Sequence, residues 1–137
     1  MNQHTTNYTN AFILIADDSP VASGTVPPVK GNNRTAANIQ FEMIHQHPYR
    51  YTSDDVIFEV YAQKNDLTKD EYKAARTAFF SKGQACLRAS PLTKRYGWGV
   101  HSNAEGKIAI YGAETKEYAQ FSKDKSLKIV KAMRSSR

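Results

Sequence analysis

Residues 96–112, which read YGWGVHSNAEGKIAIYG, decide the fold because they predict a β-hairpin. Gly106 suits the left-handed position of a three-residue loop that pairs Asn103 with Lys107. In this register the side chains on one face are Trp98, Val100, Ile108 and Ile110. The residues on the other face are Gly97, Gly99, His101, Ala109 and Tyr111. A four-residue loop mixes apolar and polar residues on both faces, so the three-residue loop is preferred.

Two further segments have the pattern of strands. Residues 84–90, QACLRAS, alternate in polarity and end at Pro91. Residues 11–16, AFILIA, are short and apolar, and the turn signal DDSP comes directly after them, so they read as a buried strand. Together with the hairpin, these segments predict a small sheet.

Helical patterns lie before and after these strands. An amphipathic stretch predicts a helix over 34–46 with Asn33 as its N-cap, and a capping box at Thr68 predicts a second over 69–82. Residues 54–63 fit a helix or a strand, and the cap signal at residues 52–55 favours the helix. Short helices over 115–121 and 124–134 are predicted to finish the chain.

This order of elements predicts an α+β fold, with a small, mainly antiparallel sheet packed against several helices. The length of 137 residues fits a single domain spanning 1–137. Residues 1–10 are polar and are expected to be disordered. Residues 17–33, rich in proline and glycine, are predicted to form a long loop. We expect helices to cover the Trp98 face of the sheet and the opposite face to be free to bind.

Composition limits where the protein works and what it binds. The sequence has one cysteine, no apolar run near the ~18 residues of a membrane span and no charged leader. These features suggest a soluble, cytoplasmic protein. Residues 1–81 carry 7 Lys or Arg and 9 Asp or Glu, whereas residues 82–137 carry 12 and 4. The basic second half can attract an anionic ligand or nucleic acid, although a solvated lysine surface has the same composition.

Side chains on the polar face of the predicted sheet are the first candidate site. If residues 84–90 form a strand, this face collects Cys86, Arg88, Gly97, Gly99, His101 and Tyr111. Arg88 can hold an anion in a forked contact, and the two glycines let a ligand approach the backbone. Cys86 and His101 are the residue types of a thiolate–imidazole pair, but no third residue is evident to orient the imidazole.

A basic loop at residues 90–99, SPLTKRYGWG, is the second candidate. Lys94 and Arg95 can hold a phosphate while Tyr96 or Trp98 stacks on a base, although Trp98 also fits the core. The loop matches no known phosphate-binding motif. No cofactor motif is found, and no metal site is predicted because His45 and His47 point about 160–200° apart on a helix.

Several stretches resemble a family of small bacterial proteins of unknown function. They read VPPVKG at 26–31, YTSDDVIFEV at 51–60, FFSKGQACLRASPL at 79–92 and YGWGVH at 96–101. The resemblance extends over nearly the whole chain. It implies one domain, a bacterial source and a cytoplasmic location, and it implies no catalytic residue.

Three functions stay open on this evidence. The leading hypothesis is a non-enzymatic module that binds an anionic ligand, such as a nucleotide or nucleic acid, through the basic second half. One alternative is a small enzyme that uses Cys86 and His101. The other is an accessory protein that acts through protein contacts, for example at the loop 17–33.

Overall fold

The structure is a computed structural model that describes residues 3–29, 31, 32 and 34–135. In this part of the chain, a four-stranded mixed sheet lies against helices, which confirms the predicted α+β class. The strands lie side by side in the order β3-β2-β1-β4, and their bounds are β1 Ala11–Leu14, β2 Trp98–Ser102, β3 Ile108–Gly112 and β4 Lys128–Lys131.

The hairpin of β2 and β3 confirms the predicted register. Trp98 lies opposite Gly112 and Val100 opposite Ile110. The loop closes where the Asn103 amide donates to the Lys107 carbonyl at 2.9 Å, and Gly106 has a φ of +78°. That left-handed backbone is inexpensive only for glycine, which is why this position ends the loop.

The prediction of a helix over 124–134 is wrong, because β4 pairs in parallel with β1. The Lys128 amide donates to the Asn10 carbonyl and the Ala132 amide to the Leu14 carbonyl, both at 2.9 Å. One side of β1 is occupied by β2, so its other side needs hydrogen-bond partners. Pairing with β4 satisfies these backbone groups, and this requirement outweighs the helical spacing of the apolar residues.

The first three helices begin at threonine caps. Their bounds are α1 Ala36–Gln46, α2 Ser53–Lys64 and α3 Lys69–Phe79. Thr35 caps α1, whereas the predicted cap, Asn33, lies outside the described residues. The cap of Thr52 on Asp55 confirms the helical interpretation of residues 54–63.

The strand predicted over 84–90 is wrong. All seven residues are described, and they form an irregular segment that leads into a 3₁₀ turn at Leu87–Ala89. The short helix α4, Pro91–Lys94, begins directly after it with Ser90 as its cap. Leu87 is buried in the main core, and the Ser90 hydroxyl bonds Gln40 of α1. These contacts hold the segment against the helices, and none of its residues is part of a strand.

Both faces of the sheet are covered. The Trp98 face packs against the helical side as predicted, in a core that includes Val100 and Ile110. The opposite face is not free: α5, Lys116–Ser122, places Tyr118 and Phe121 on Phe12 of β1, with ring centroids 5.2 Å apart in each pair. Large aromatic side chains bury well against a sheet, so this face packs a helix.

The segment 3–8 runs beside the start of α2. The Thr6 amide and hydroxyl each donate to Asp54 at 2.7 Å, and the Thr5 hydroxyl donates to the other oxygen of this carboxylate at 2.7 Å. The His4 amide also donates to the Phe80 carbonyl at the end of α3. Sequence patterns do not indicate these contacts, because they join residues about fifty to eighty positions apart.

Candidate functional site

A cavity of about 430 Å³ lies beside the start of α1, and we call it the α1 cavity. Residues from three parts of the chain line it: the loop before α1, the first turn of α1 and the segment around α4. The lining residues used below are Pro28, Ala36, Pro91, Lys94, Arg95 and Tyr96. The cavity thus collects four residues of the basic loop at 90–99.

Helix α4 determines where Lys94 and Arg95 lie. Ser90 caps the helix by accepting from the Leu92 amide at 3.1 Å, and Pro91 begins it. Proline suits the first helical position because its φ is already helical. The amide hydrogen that proline lacks would have no partner within the helix at this position. Thr93 is fully buried and donates to the Leu87 carbonyl at 2.8 Å, so the short helix is anchored below the two cations.

The opposite wall is the first turn of α1. Thr35 accepts from the Asn38 amide at 3.2 Å, and the Asn38 side-chain oxygen accepts from the Thr35 amide at 2.9 Å. The Asn38 side-chain nitrogen also donates to the carbonyls of Pro27 and Pro28. Asn38 therefore fastens the proline-containing loop to the helix start and gives the cavity a fixed edge.

The electrostatics of the α1 cavity favour anions. No carboxylate of the described residues lines it, and the Lys94 and Arg95 side chains form no ion pair or hydrogen bond with the described part of the chain. Within the same part of the chain, no group accepts from the Ala36 and Ala37 amides. The first amides of a helix carry partial positive charge, which adds to the charge of the two cations.

Trp98 and Gly97 lie outside the cavity wall. The Trp98 indole donates to the Thr25 carbonyl at 2.8 Å and packs near Phe41, in agreement with the interpretation that it belongs to the core. Gly97 has a φ of +77°, and a β-carbon there would collide with the backbone of Ser23. The group that lies close to Gly97 is therefore the backbone of the protein's own loop at Ser23.

A second cluster lies on the α5 side of the sheet, and we call it the Tyr49 cluster. The Tyr49 hydroxyl is 2.7 Å from His101 Nδ1 and 2.9 Å from the Tyr111 hydroxyl. Phe121 of α5 stacks on the imidazole with centroids 4.2 Å apart. The structure thus brings the predicted residues His101 and Tyr111 together, through a tyrosine that sequence reasoning missed.

Burial sets the protonation of the Tyr49 cluster. It raises the pKa of Tyr49, helped by the hydrogen bond between Tyr49 and Tyr111. Burial also lowers the pKa of His101, and the nearby Asp124 carboxylate opposes this only in part. Tyr49 and His101 are therefore both neutral near pH 7, so neither side chain carries a charge with which to hold an anion.

Tyr49 could not be identified from sequence patterns. It has a φ of +61°, a left-handed conformation that is rare for an aromatic residue. The surrounding structure holds it there: its amide donates to the Ile108 carbonyl at 2.8 Å, which attaches the segment after α1 to the edge of β3. The only local signal is Pro48, which ends the helix without indicating the conformation of the residue after it.

Cys86 and Arg88 lie apart from the Tyr49 cluster. The Cys86 sulfur is 3.9 Å from the Tyr8 hydroxyl, and Arg88 Nε donates to the Lys131 carbonyl at 2.6 Å. No hydrogen bond joins Cys86 to His101, both of which are described. Gly99 stays on the His101 face, where Phe12 and Tyr118 pack against its backbone. The predicted six-residue constellation is therefore divided between different parts of the molecule.

The histidines of α1 and its C-terminal end take part in ring contacts. His45 stacks on Phe41, and His47 lies edge-on to Tyr51. In residues 3–29, 31, 32 and 34–135 there is no group of three His, Cys, Asp or Glu side chains that could hold a metal ion. The same residues contain no helix that is long and apolar enough to span a bilayer.

Comparisons with known proteins identify a family without an assigned activity. The sequence model of a family of unknown function (DUF6157) matches residues 3–137. No curated protein and no solved structure matches the chain. Any function must therefore be argued from the α1 cavity and the Tyr49 cluster themselves.

Proposed function

Because the chain belongs to this family of unknown function, we propose a role from geometry alone: the protein is a cytoplasmic, non-enzymatic module that binds a small anionic ligand in the α1 cavity. One observation carries the proposal. Lys94 and Arg95, without partners in the described chain, meet the first turn of α1 in a cavity that no described carboxylate lines. The cytoplasmic location is supported by the single cysteine.

A phosphate group fits this arrangement best. Backbone amides at a helix start donate to phosphate oxygens, and the helix dipole favours negative charge there. Arg95 can add a forked contact and Lys94 a point charge. A carboxylate has only two oxygens and offers these donors fewer acceptors, so the preferred anionic group is phosphate.

The size of the cavity favours a small molecule over a long nucleic acid. Its volume of about 430 Å³ falls in the ~300–1,000 Å³ range of small-molecule sites. A nucleic acid strand would cross many phosphates and would need a row of cations, whereas two cations line this cavity. Because residues 82–137 are rich in lysine and arginine, the experiment also tests nucleic acid as a ligand.

Calorimetric titration with inorganic phosphate, adenosine monophosphate and a labelled oligonucleotide tests the proposal at about 50 mM salt. We expect the K94A/R95A double variant to bind inorganic phosphate at least about tenfold more weakly, since each charged hydrogen bond contributes about 1.5–3 kcal/mol. The matched control is K123A/K125A, which removes two exposed lysines outside the cavity. Absence of phosphate binding, or an equal loss in the control, would contradict the proposal.

The salt dependence distinguishes the ligand classes. A small phosphate carries no condensed counterion layer, so we expect log K for inorganic phosphate to fall only weakly with log[salt], through ordinary screening. A strand that contacts five or more phosphates predicts a slope steeper than about −3. If only the oligonucleotide binds, with the steep slope, the protein is a nucleic-acid-binding module and the small-ligand proposal is abandoned.

A further inference from the structure

A second cavity adjoins the α1 cavity, and we call it the apolar cavity. Its volume is about 210 Å³. It lies between α2 and the segment that leads into α4, and the side chains that matter here are Ile57, Val60, Ala85, Cys86, Leu87 and Ala89. None of the described residues that line it is charged.

The one hydroxyl in the described wall of the apolar cavity already has its partners. The Ser90 hydroxyl donates to the Gln40 side-chain oxygen at 2.5 Å and accepts from the Leu92 amide at 3.1 Å. Burying a charge here would cost free energy because no charged group in the described wall can neutralise it. Hydrocarbon can fill the space without that penalty, so the cavity suits an aliphatic group.

The two cavities meet at Ala36 and Pro91, which line both of them. Ala36 is the first residue of α1 and Pro91 the first of α4. Both side chains are small and apolar, and they lie at the boundary between the cavity with the two cations and the cavity with the aliphatic wall. A ligand that crosses this boundary can place an anionic group and a chain at the same time.

We infer that the ligand of the α1 cavity is an amphipathic anion, a phosphate that carries a short aliphatic chain lying in the apolar cavity. This inference rests on the proposed function, because it assigns the anionic end to Lys94 and Arg95. A volume of 210 Å³ corresponds to about seven groups of water size, which is a chain of about six carbons.

The decisive experiment is a calorimetric titration with inorganic phosphate, ethyl phosphate, butyl phosphate and hexyl phosphate. Each methylene that leaves water should tighten binding about threefold to fourfold until the chain fills the cavity. If all four phosphates bind with equal affinity, the inference fails and the proposed function stands. If none binds, the proposed function itself fails.

A variant that fills the apolar cavity distinguishes the contribution of the aliphatic chain to affinity from that of the phosphate group. Ala85 is exposed at its rim, so Ala85→Leu should fold while it occupies part of the space. We expect this variant to lose most of the gain from the hexyl chain and to keep its affinity for inorganic phosphate. Ala119→Leu, at an exposed position on α5, is the matched control and should change neither value. Full retention of the gain in Ala85→Leu would overturn the inference.

Cys86 supplies a readout that does not depend on affinity. Its side chain belongs to the wall of the apolar cavity, so a bound chain should slow alkylation of the thiol by iodoacetamide. Hexyl phosphate should therefore protect Cys86, whereas inorganic phosphate at saturation should not. Equal alkylation rates with and without saturating hexyl phosphate would place the chain elsewhere and contradict the inference.

Discussion

Gly99 shows how one residue governs the approach of α5 to the sheet. A β-carbon at this position would lie 2.6 Å from Phe12 and 2.6 Å from Tyr118, well inside van der Waals contact. Both rings belong to the packed face, so neither can move without disturbing the other. The glycine that looked like an opening for a ligand is instead required for helix packing.

We therefore expect Gly99→Ala to lower the free energy of unfolding by about 1–3 kcal/mol, the usual cost of overpacking. Urea denaturation of the purified protein measures this change. Gly83→Ala is the matched control, because the nearest atom to its added methyl group would be His4 Nδ1 at 3.9 Å. Equal loss of stability in the two variants would show that the collision at Gly99 is not the cause.

At the scale of elements, α5 is attached to the sheet partly through a titratable side chain. Phe121 stacks on the His101 ring, whose Nδ1 is hydrogen-bonded to Tyr49. Because burial holds the pKa of His101 below the ordinary 6.5, a proton binds more tightly to this histidine in the unfolded chain than in the folded protein. The neutral ring therefore contributes stability that is complete above about pH 6.5 and is lost as the pH falls.

The lowered pKa of His101 predicts that the free energy of unfolding decreases between about pH 7.5 and pH 5.5, and by more in the wild type than in His101→Gln. Urea denaturation at the two pH values gives the comparison. His47→Gln is the control, since His47 is exposed and should leave the pH dependence of the wild type intact. A pH dependence that survives unchanged in His101→Gln would assign the titration to another group.

At the scale of the whole molecule, the two ends of the chain meet in the sheet. β1 comes directly after the segment 3–10, and β4 lies near the C-terminus, yet they are hydrogen-bonded neighbours. Arg88 secures the outer side of β4: its backbone carbonyl accepts from the Met133 amide, and its side chain donates to the Lys131 carbonyl. The sheet and the contacts at its β4 edge thus join three distant parts of the sequence.

Hydrogen exchange provides the test of this arrangement. Since Lys128 and Ala132 donate to β1, the alternation of a strand directs the Val130 amide to β1 as well and the Ile129 amide away from it. We expect slow exchange at Val130 and fast exchange at Ile129, measured by NMR. A helix over 124–134 would protect both amides, so similar slow rates would contradict the strand.

The local signals of the sequence predicted a large part of this fold. The cap of Thr52 on Asp55, the capping box at Thr68 and the turn at Gly106 each act within four residues, and each is present in the structure. The cap of α1 was placed on Asn33, whereas Thr35 caps the helix with Asn38 in the position that usually holds Glu or Gln. Such a box is difficult to recognise from residue types alone.

For the candidate site, the sequence indicated Lys94 and Arg95 but not the groups that surround them. That they face the start of α1 depends on α4 and on Asn38, which joins the helix to the carbonyls of Pro27 and Pro28. Tyr49 was missed because its left-handed backbone is imposed by pairing with β3. In both cases the decisive partners are distant in sequence.

By itself, the sequence determined the α+β class, the hairpin register and the start of α3, and it favoured a helix over a strand for residues 54–63. These features depend on short-range hydrogen bonds and on alternation of polarity, which act between near neighbours. Only the tertiary structure decided that residues 128–131 form a strand, that residues 84–90 do not, and which cations share a cavity. The physical reason is that the free side of β1 and the exposed surface of the helices must each be covered, and local propensity does not specify which segment covers them.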